Sequence, residues 1–113
     1  MKTYTLTFRQ IDKNNFDELQ SGIKSIETRA ASPKYQSIKI GDTLTFICGN
    51  NKFSRVIKTK RHFKNLDSMF KVIPFKKIMP ELDSIEEVKK IYYSYPNYKE
   101  KIKKFGILAF ELK

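Results

Sequence analysis

The strongest constraint on this fold is a pattern that recurs along the chain: short runs of alternating apolar and polar residues, joined by brief connections. Tyr4, Leu6 and Phe8 alternate with Thr5 and Thr7. Ile26 and Thr28 share one face of the run 24–30, with Glu27 and Arg29 on the other. Leu44, Phe46 and Cys48 share one face of 43–48, and Leu108, Phe110 and Leu112 one face of 106–112. A period of two is that of a strand buried on one side. Gly49-Asn50-Asn51 reads as a hairpin turn leading into a fourth run, from Phe53 to Thr59 and on toward Phe63. Parallel pairing through a βαβ unit takes a dozen residues or more, and most connections here are shorter. With 113 residues the chain is expected to form one domain over 1–113. Its class is α+β, mainly β: a small barrel, closed or half closed, with peripheral helices.

Helical signals fill the gaps. Asn14 or Asn15 can cap a short helix with Asp17 and Glu18 in its first turn, Phe16 and Leu19 toward the core, and Gly22 as its stop. Ser32-Pro33 breaks the strand that precedes it. Asn65 caps a second short helix over 65–70, and Pro74 and Pro80 bracket a segment too short for a long one. Ser84-Ile85-Glu86-Glu87 is a capping box. It opens a helix with Ile85, Val88, Ile91, Tyr92 and Tyr95 on one stripe, ended by Pro96. The expected order is β-α-β-β-β-α-α-β.

Charge then narrows the partners. Lys and Arg number 23 against 12 Asp and Glu, a formal net charge of +11. Residues 51–80 carry nine basic side chains and one acidic, Asp67, and so hold +8 of that excess. Lys52, Arg55, Lys58, Lys60, Arg61 and Lys64 lie within this stretch. They form either solvated surface or a patch that faces phosphates. One Cys and one His exclude a disulfide framework and a Cys/His zinc site, and no metal or cofactor is expected. No apolar run is long enough to span a membrane, and the start, Met1-Lys2-Thr3-Tyr4-Thr5, lacks a signal-peptide block. The expectation is a cytoplasmic protein, a monomer, with no membrane partner.

One segment concentrates chemistry. Gly22 to Arg29 reads G-x-K-x-x-E-x-R. Such a trio can be an exposed ion-pair ladder. Glu27 and Arg29, however, project from one strand face and can pair there, while Lys24 stands at the strand's start, where Gly22 lets the backbone bend. If that face lines a barrel opening, two cations flank one carboxylate, an arrangement that suits a phosphate or the polar edge of a base. Arg29 supplies a two-pronged fork and Lys24 a point charge. Glu27 can orient either one or accept from an exocyclic amine such as that of cytosine.

The motif, the Gly41-Asp42 strand start twelve residues after Arg29, and the tail of helix, Tyr95-Pro96 and terminal strand from Gly106 together resemble the ASCH domain family, over nearly the whole chain. The resemblance implies a PUA-like β-barrel and a cleft lined by the motif's Lys, Glu and Arg that binds RNA or nucleotides. Lys34 and Tyr35, beside the motif strand, join Lys24, Glu27 and Arg29 as expected ligand-binding residues, Tyr35 as a stacking ring. Some members of the superfamily hydrolyse acylated cytidine nucleosides, and ribonuclease activity is attributed to others. The alternative reading is therefore a nucleoside or RNA hydrolase using Lys24, Glu27 and Glu81. The acetylcytidine amidohydrolases use a Lys, a Thr three residues later, and a Glu ahead of the last helix. Lys24 and Glu81 match, but Glu27 stands where the Thr would be, and Thr28 points to the opposite face. Glu27 is expected to hold Lys24 in an ion pair.

Other candidates are fewer. His62 is the sole histidine, a surface residue or an acid–base group. Cys48 continues an apolar face and reads as a buried thiol. Tyr92 and Tyr95 read as core, while Tyr93 and Tyr98 are freer to meet a ligand.

Overall fold

In the computed structural model, which describes Met1–Lys113, every alternating run becomes a strand. The strands are β1 (Thr3–Thr7), β2 (Ile26–Ala30), β3 (Thr43–Cys48), β4 (Asn51–Phe63) and β5 (Ile107–Leu112). They form one sheet in the order β1-β3-β4-β5-β2. The two-residue turn Gly49-Asn50 joins β3 to β4, which pair antiparallel from Cys48↔Asn51. The thirteen residues of β4 hold the sheet together: the first half pairs with β3, the second with β5. A register shift between Ile57 and Thr59 separates the halves. Such an irregularity adds bend and twist, and the sheet curls into a half-barrel. The motif strand β2 pairs antiparallel with β5 and forms one edge. The other edge, β1, pairs parallel with β3. Counting connection lengths did not anticipate that pairing, because the crossover between β1 and β3 contains β2 itself.

Helices cover what the sheet leaves open. They are α1 (Lys13–Ser21), α2 (Pro33–Gln36), α3 (Leu66–Val72), α4 (Phe75–Ile78), α5 (Ile85–Ser94) and α6 (Tyr98–Phe105), with one 3-10 turn at Gln10–Asp12. Two caps follow the sequence: Asn65 accepts from the Ser68 N–H and Ser84 from the Glu87 N–H. Gly22 ends α1 with φ of 87°, a left-handed conformation that favours glycine. Neither Asn14 nor Asn15 caps α1: both lie inside the helix after Asp12, and Asp17 and Glu18 fall beyond its first turn. Helices α2, α4 and α6 were not expected, and β2 starts at Ile26 rather than Lys24.

Two apolar clusters result, one on each face of β5. Inside the curl, Leu6, Leu44, Phe46, Ile57, Leu108 and Phe110 pack against Phe16 and Leu19 of α1. Outside, Ile26, Ile107 and Ala109 pack against Leu66, Met69, Ile78, Val88, Tyr92 and Ile102 of the helical layer. Both faces of β5 are covered, which explains its unbroken apolar run Ile107–Phe110. Gly106, just before it, has φ of 85°, and a Cβ there would collide with the Phe63 carbonyl oxygen. No helix is long and apolar enough to cross a membrane.

Candidate functional site

The edge position of β2 decides how its side chains behave. The bonds Ala31 N–H to Gly106 O and Leu112 N–H to Ser25 O set the pairing, so Glu27 and Arg29 bond through their backbones to β5. Thr28 and Ala30 then turn their N–H groups to the free edge. Side chains satisfy both: Glu27 Oε1 accepts from Thr28 N at 2.8 Å, and the Tyr98 hydroxyl accepts from Ala30 N at 3.5 Å. The Glu27 carboxylate is thereby fixed at the gap between the two edge strands.

That gap is a cleft of about 200 Å³. Thr7, Phe8, Arg9 and Asp12 form one wall, where β1 runs into the 3-10 turn. Lys24, Glu27, Thr28 and Arg29 form the second, and Tyr92, Tyr95, Pro96 and Tyr98 the third, with Asn15 at the base of α1. Lys24, Glu27 and Arg29 thus converge on one open cavity. Lys24 and Glu27 are 3% and 4% exposed. The expected ion pair between them is not present. Glu27 Oε2 pairs with Arg29 Nη2 at 3.4 Å, and Lys24 Nζ donates to Asn15 Oδ1 at 3.2 Å. Burial pushes the Lys24 ammonium below its ordinary value, against the opposing pull of Glu27, Glu81 and Glu18. Arg29 loses hydration too, yet Glu27 and the nearby tyrosines keep it above its usual range.

Arg29 is held in place by rings. Its guanidinium lies 5.2 Å from the Phe8 centroid and 5.8 Å from that of Tyr35. Tyr35 therefore acts from behind the arginine and does not line the cleft. Exposed Lys34 sits 5.4 Å over the same ring, also outside the cavity. The tyrosine wall is a connected set: the Thr28 and Tyr92 hydroxyls hydrogen-bond each other, and Tyr95 meets Tyr98 edge-on at 5.1 Å. Burial raises the hydroxyls of Tyr92, Tyr95 and Tyr98, so all three stay neutral. Tyr93, in contrast, is turned away, beside Lys99.

Glu81 is exposed in the turn ahead of α5 and does not line the cavity. It approaches Lys24 and Glu18 instead. Glu18 Oε1 is shut off from solvent without a hydrogen-bond partner of standard geometry. Burial, then the adjacent Glu81 carboxyl, pushes Glu18 up to about 7. No three His, Cys, Asp or Glu side chains gather in a way that would hold a metal ion.

Of the basic residues of 51–80, Lys52, Arg55, Lys58, Lys60 and Arg61 lie along β4 and the others beyond it, and none lines the cleft. Arg55 donates to the Gln20 carbonyl at 2.9 Å and Lys60 to that of Gln36 at 2.7 Å; both tie the fold together. Lys52, Lys58 and Lys64 are exposed, and Arg61 is on the rim of a second cavity of about 140 Å³ with Lys77 and Glu111. His62 Nε2 bonds the Phe105 carbonyl at 2.7 Å, a structural tie. Cys48 is buried as its alternation indicated. Sequence reasoning missed Phe8, Arg9, Asp12 and Asn15 as cleft residues, because no local spacing links the end of β1 to β2.

No family model and no curated protein matches the chain. Solved structures do. The solution structure of protein PF0455 from Pyrococcus furiosus is 26% identical with a TM-score of 0.73, matching 98% of this chain and 96% of that one. The chain is also similar, over its entire length and 98% of the other's, to the crystal structure of the hypothetical protein PH0355, at 26% identity and a TM-score of 0.85.

Proposed function

We propose that the chain is an RNA- or nucleotide-binding domain of the ASCH type, with a PUA-like barrel, and that its cleft receives one base-sized group. The observation that carries this reading is the convergence of Lys24, Glu27 and Arg29 on one open cavity beside a tyrosine wall. The cavity is smaller than the roughly 300–1,000 Å³ of drug-sized sites, a scale that fits a single base or sugar. Arg29, clamped between Phe8 and Tyr35, offers its fork to an oxyanion or a base edge. Glu27 accepts from an amine, and the neutral tyrosines offer apolar faces and donors. Exposed Lys52, Lys58, Arg61 and Lys64 supply long-range attraction for the phosphate chain.

Fluorescence anisotropy with a short single-stranded RNA tests this. If about four phosphates are engaged, log K should fall with log salt at a slope of roughly −3. Arg29→Lys should weaken mononucleotide binding nearly as much as Arg29→Ala. Salt-independent affinity, or no binding at low salt, rules out RNA; full affinity in Arg29→Lys rules out the fork.

A hydrolase is the second reading, favoured by one observation: burial, not an ion pair, governs Lys24, and a lysine with a lowered pKa is a better base. Binding still ranks first. A carboxylate holds the nucleophile's position, and the hydroxyl one residue on, Thr28, is bonded to Tyr92.

A further inference from the structure

The half-barrel has two free edges and protects only one. On β2 the outward N–H groups are bonded by Glu27 and Tyr98. On β1 the bonds Thr43 N–H to Lys2 O and Phe8 N–H to Ile47 O show that the even-numbered residues face β3. In a parallel pair the residues between them turn both backbone groups the other way. Thr3, Thr5 and Thr7 therefore present three N–H and three C=O groups outward, and none has a backbone partner. Orphaned backbone groups shut away from water are rare, and all three threonines are exposed, so this edge meets solvent. It also lacks the devices that usually blunt an edge. Thr3–Thr7 contains no charge, no proline and no bulge, in a chain with 31% charged residues.

We infer that the β1 edge is a self-association surface, on which β1 of a second copy pairs antiparallel about a twofold axis through Thr5. In that register Thr3 faces Thr7 of the partner copy and Thr5 faces its equivalent. Each such pair exchanges two N–H···O=C bonds, so every outward group of both strands is satisfied at once. The match is isologous, one patch meeting itself. The threonine side chains form cross-strand pairs on the outer face, and the neutral strand brings no like charges into contact. The same register sets Lys2 of the partner copy opposite Phe8, on the concave side. Phe8 lines the cleft, so a second copy brings a further cation to its rim. Pairing is weak, because two short strands bury less than a stable interface needs. The +11 charge of each copy opposes it, so salt strengthens it, the reverse of the dependence for RNA.

Sedimentation velocity from micromolar to millimolar protein, at low and high salt, is the test. The mass should rise from 13.4 kDa toward twice that value, at lower concentration in higher salt. Thr5→Pro removes one outward N–H per copy and leaves the Tyr4 and Leu6 bonds to β3; edge strands tolerate proline. It should weaken association about tenfold or more. Thr5→Lys, which keeps the backbone intact, sets two cations opposite each other at the axis and should do the same. A mass that stays at one copy in high salt up to millimolar concentration overturns the inference, as does association that both folded variants leave unchanged. Thr7 and Phe8 line the cleft, so RNA binding is read separately, by anisotropy at low salt and at protein concentrations where the chain is a single copy.

Discussion

Arg29→Ala should destabilise the protein by about 3 kcal/mol at neutral pH, the lower end of the range for leaving one member of a buried ion pair unpartnered. Glu27 is 4% exposed. Its Oε1 has the Thr28 N–H, while Oε2 has the Arg29 guanidinium, 3.4 Å away. Within that figure, the lost contacts with Phe8 and Tyr35 are worth about 0.5–1 kcal/mol each. The lower end applies because the cleft is open and water can reach Oε2 once the guanidinium is gone. In urea, with a slope of about 1–3 kcal/mol/M, the midpoint should fall by roughly 1–3 M. The diagnostic step is a second substitution. Glu27→Gln in the Arg29→Ala background removes the stranded charge and should recover about half the loss. A loss below about 1 kcal/mol, or a double variant no more stable than Arg29→Ala, would refute the claim that Arg29 neutralises a buried carboxylate.

Glu18 has a folded value pushed up to about 7, against an ordinary 4.5. Between these values the folded chain holds a proton that the unfolded chain releases, so this group makes stability fall as pH rises through that window. Glu18→Gln should flatten that part of the profile of urea midpoint against pH; an unchanged slope would count against the buried position of Glu18. Gly106→Ala should destabilise the fold, since it must fit a methyl group against the Phe63 carbonyl at a left-handed φ; an unshifted melting temperature would contradict the local geometry. Wild-type protein should release little or no cytidine from N4-acetylcytidine by chromatography, and Glu27→Thr, which restores a hydroxyl three residues after Lys24, should raise it. Robust wild-type turnover lost in Lys24→Ala would make the hydrolase reading the correct one.

The strands were legible because alternation is local and the interior of the curl rewards it. Caps at Asn65 and Ser84 were legible for the same reason. The missed helices show where local signals mislead. Ser32-Pro33 does end the strand before it, but Pro33 also occupies the first turn of α2, where its missing N–H costs nothing. Tyr95-Pro96 does end a helix, but Asn97, at φ of 61°, turns the chain and α6 begins at once. The spacing of Tyr98, Ile102 and Phe105 was its one readable sign. At the site, parity placed Glu27 and Arg29 together. It could not reveal that Lys24 bonds Asn15, nor that Phe8 and Tyr35 clamp Arg29, since those contacts join elements far apart in sequence. Tyr98 does reach the cleft, yet it packs against the outer core just as Tyr95 does, and Tyr92 is core and cleft wall at once.

The strand order also has a consequence for how this chain is made. β3 and β4 pair across a two-residue turn, so they can zip as soon as both have left the ribosome. β1 waits for a partner forty residues on, Thr3 for Thr43, and β2 for one eighty-five residues on, Ile26 for Glu111. Closing such loops is slow relative to a hairpin. Until the segment Ile107–Leu112 has been synthesised, β2 has no strand to lie against, and Glu27 and Arg29 have no fixed direction. A nascent chain can therefore hold half a sheet but no cleft, and ligand binding during translation would report the arrival of β5.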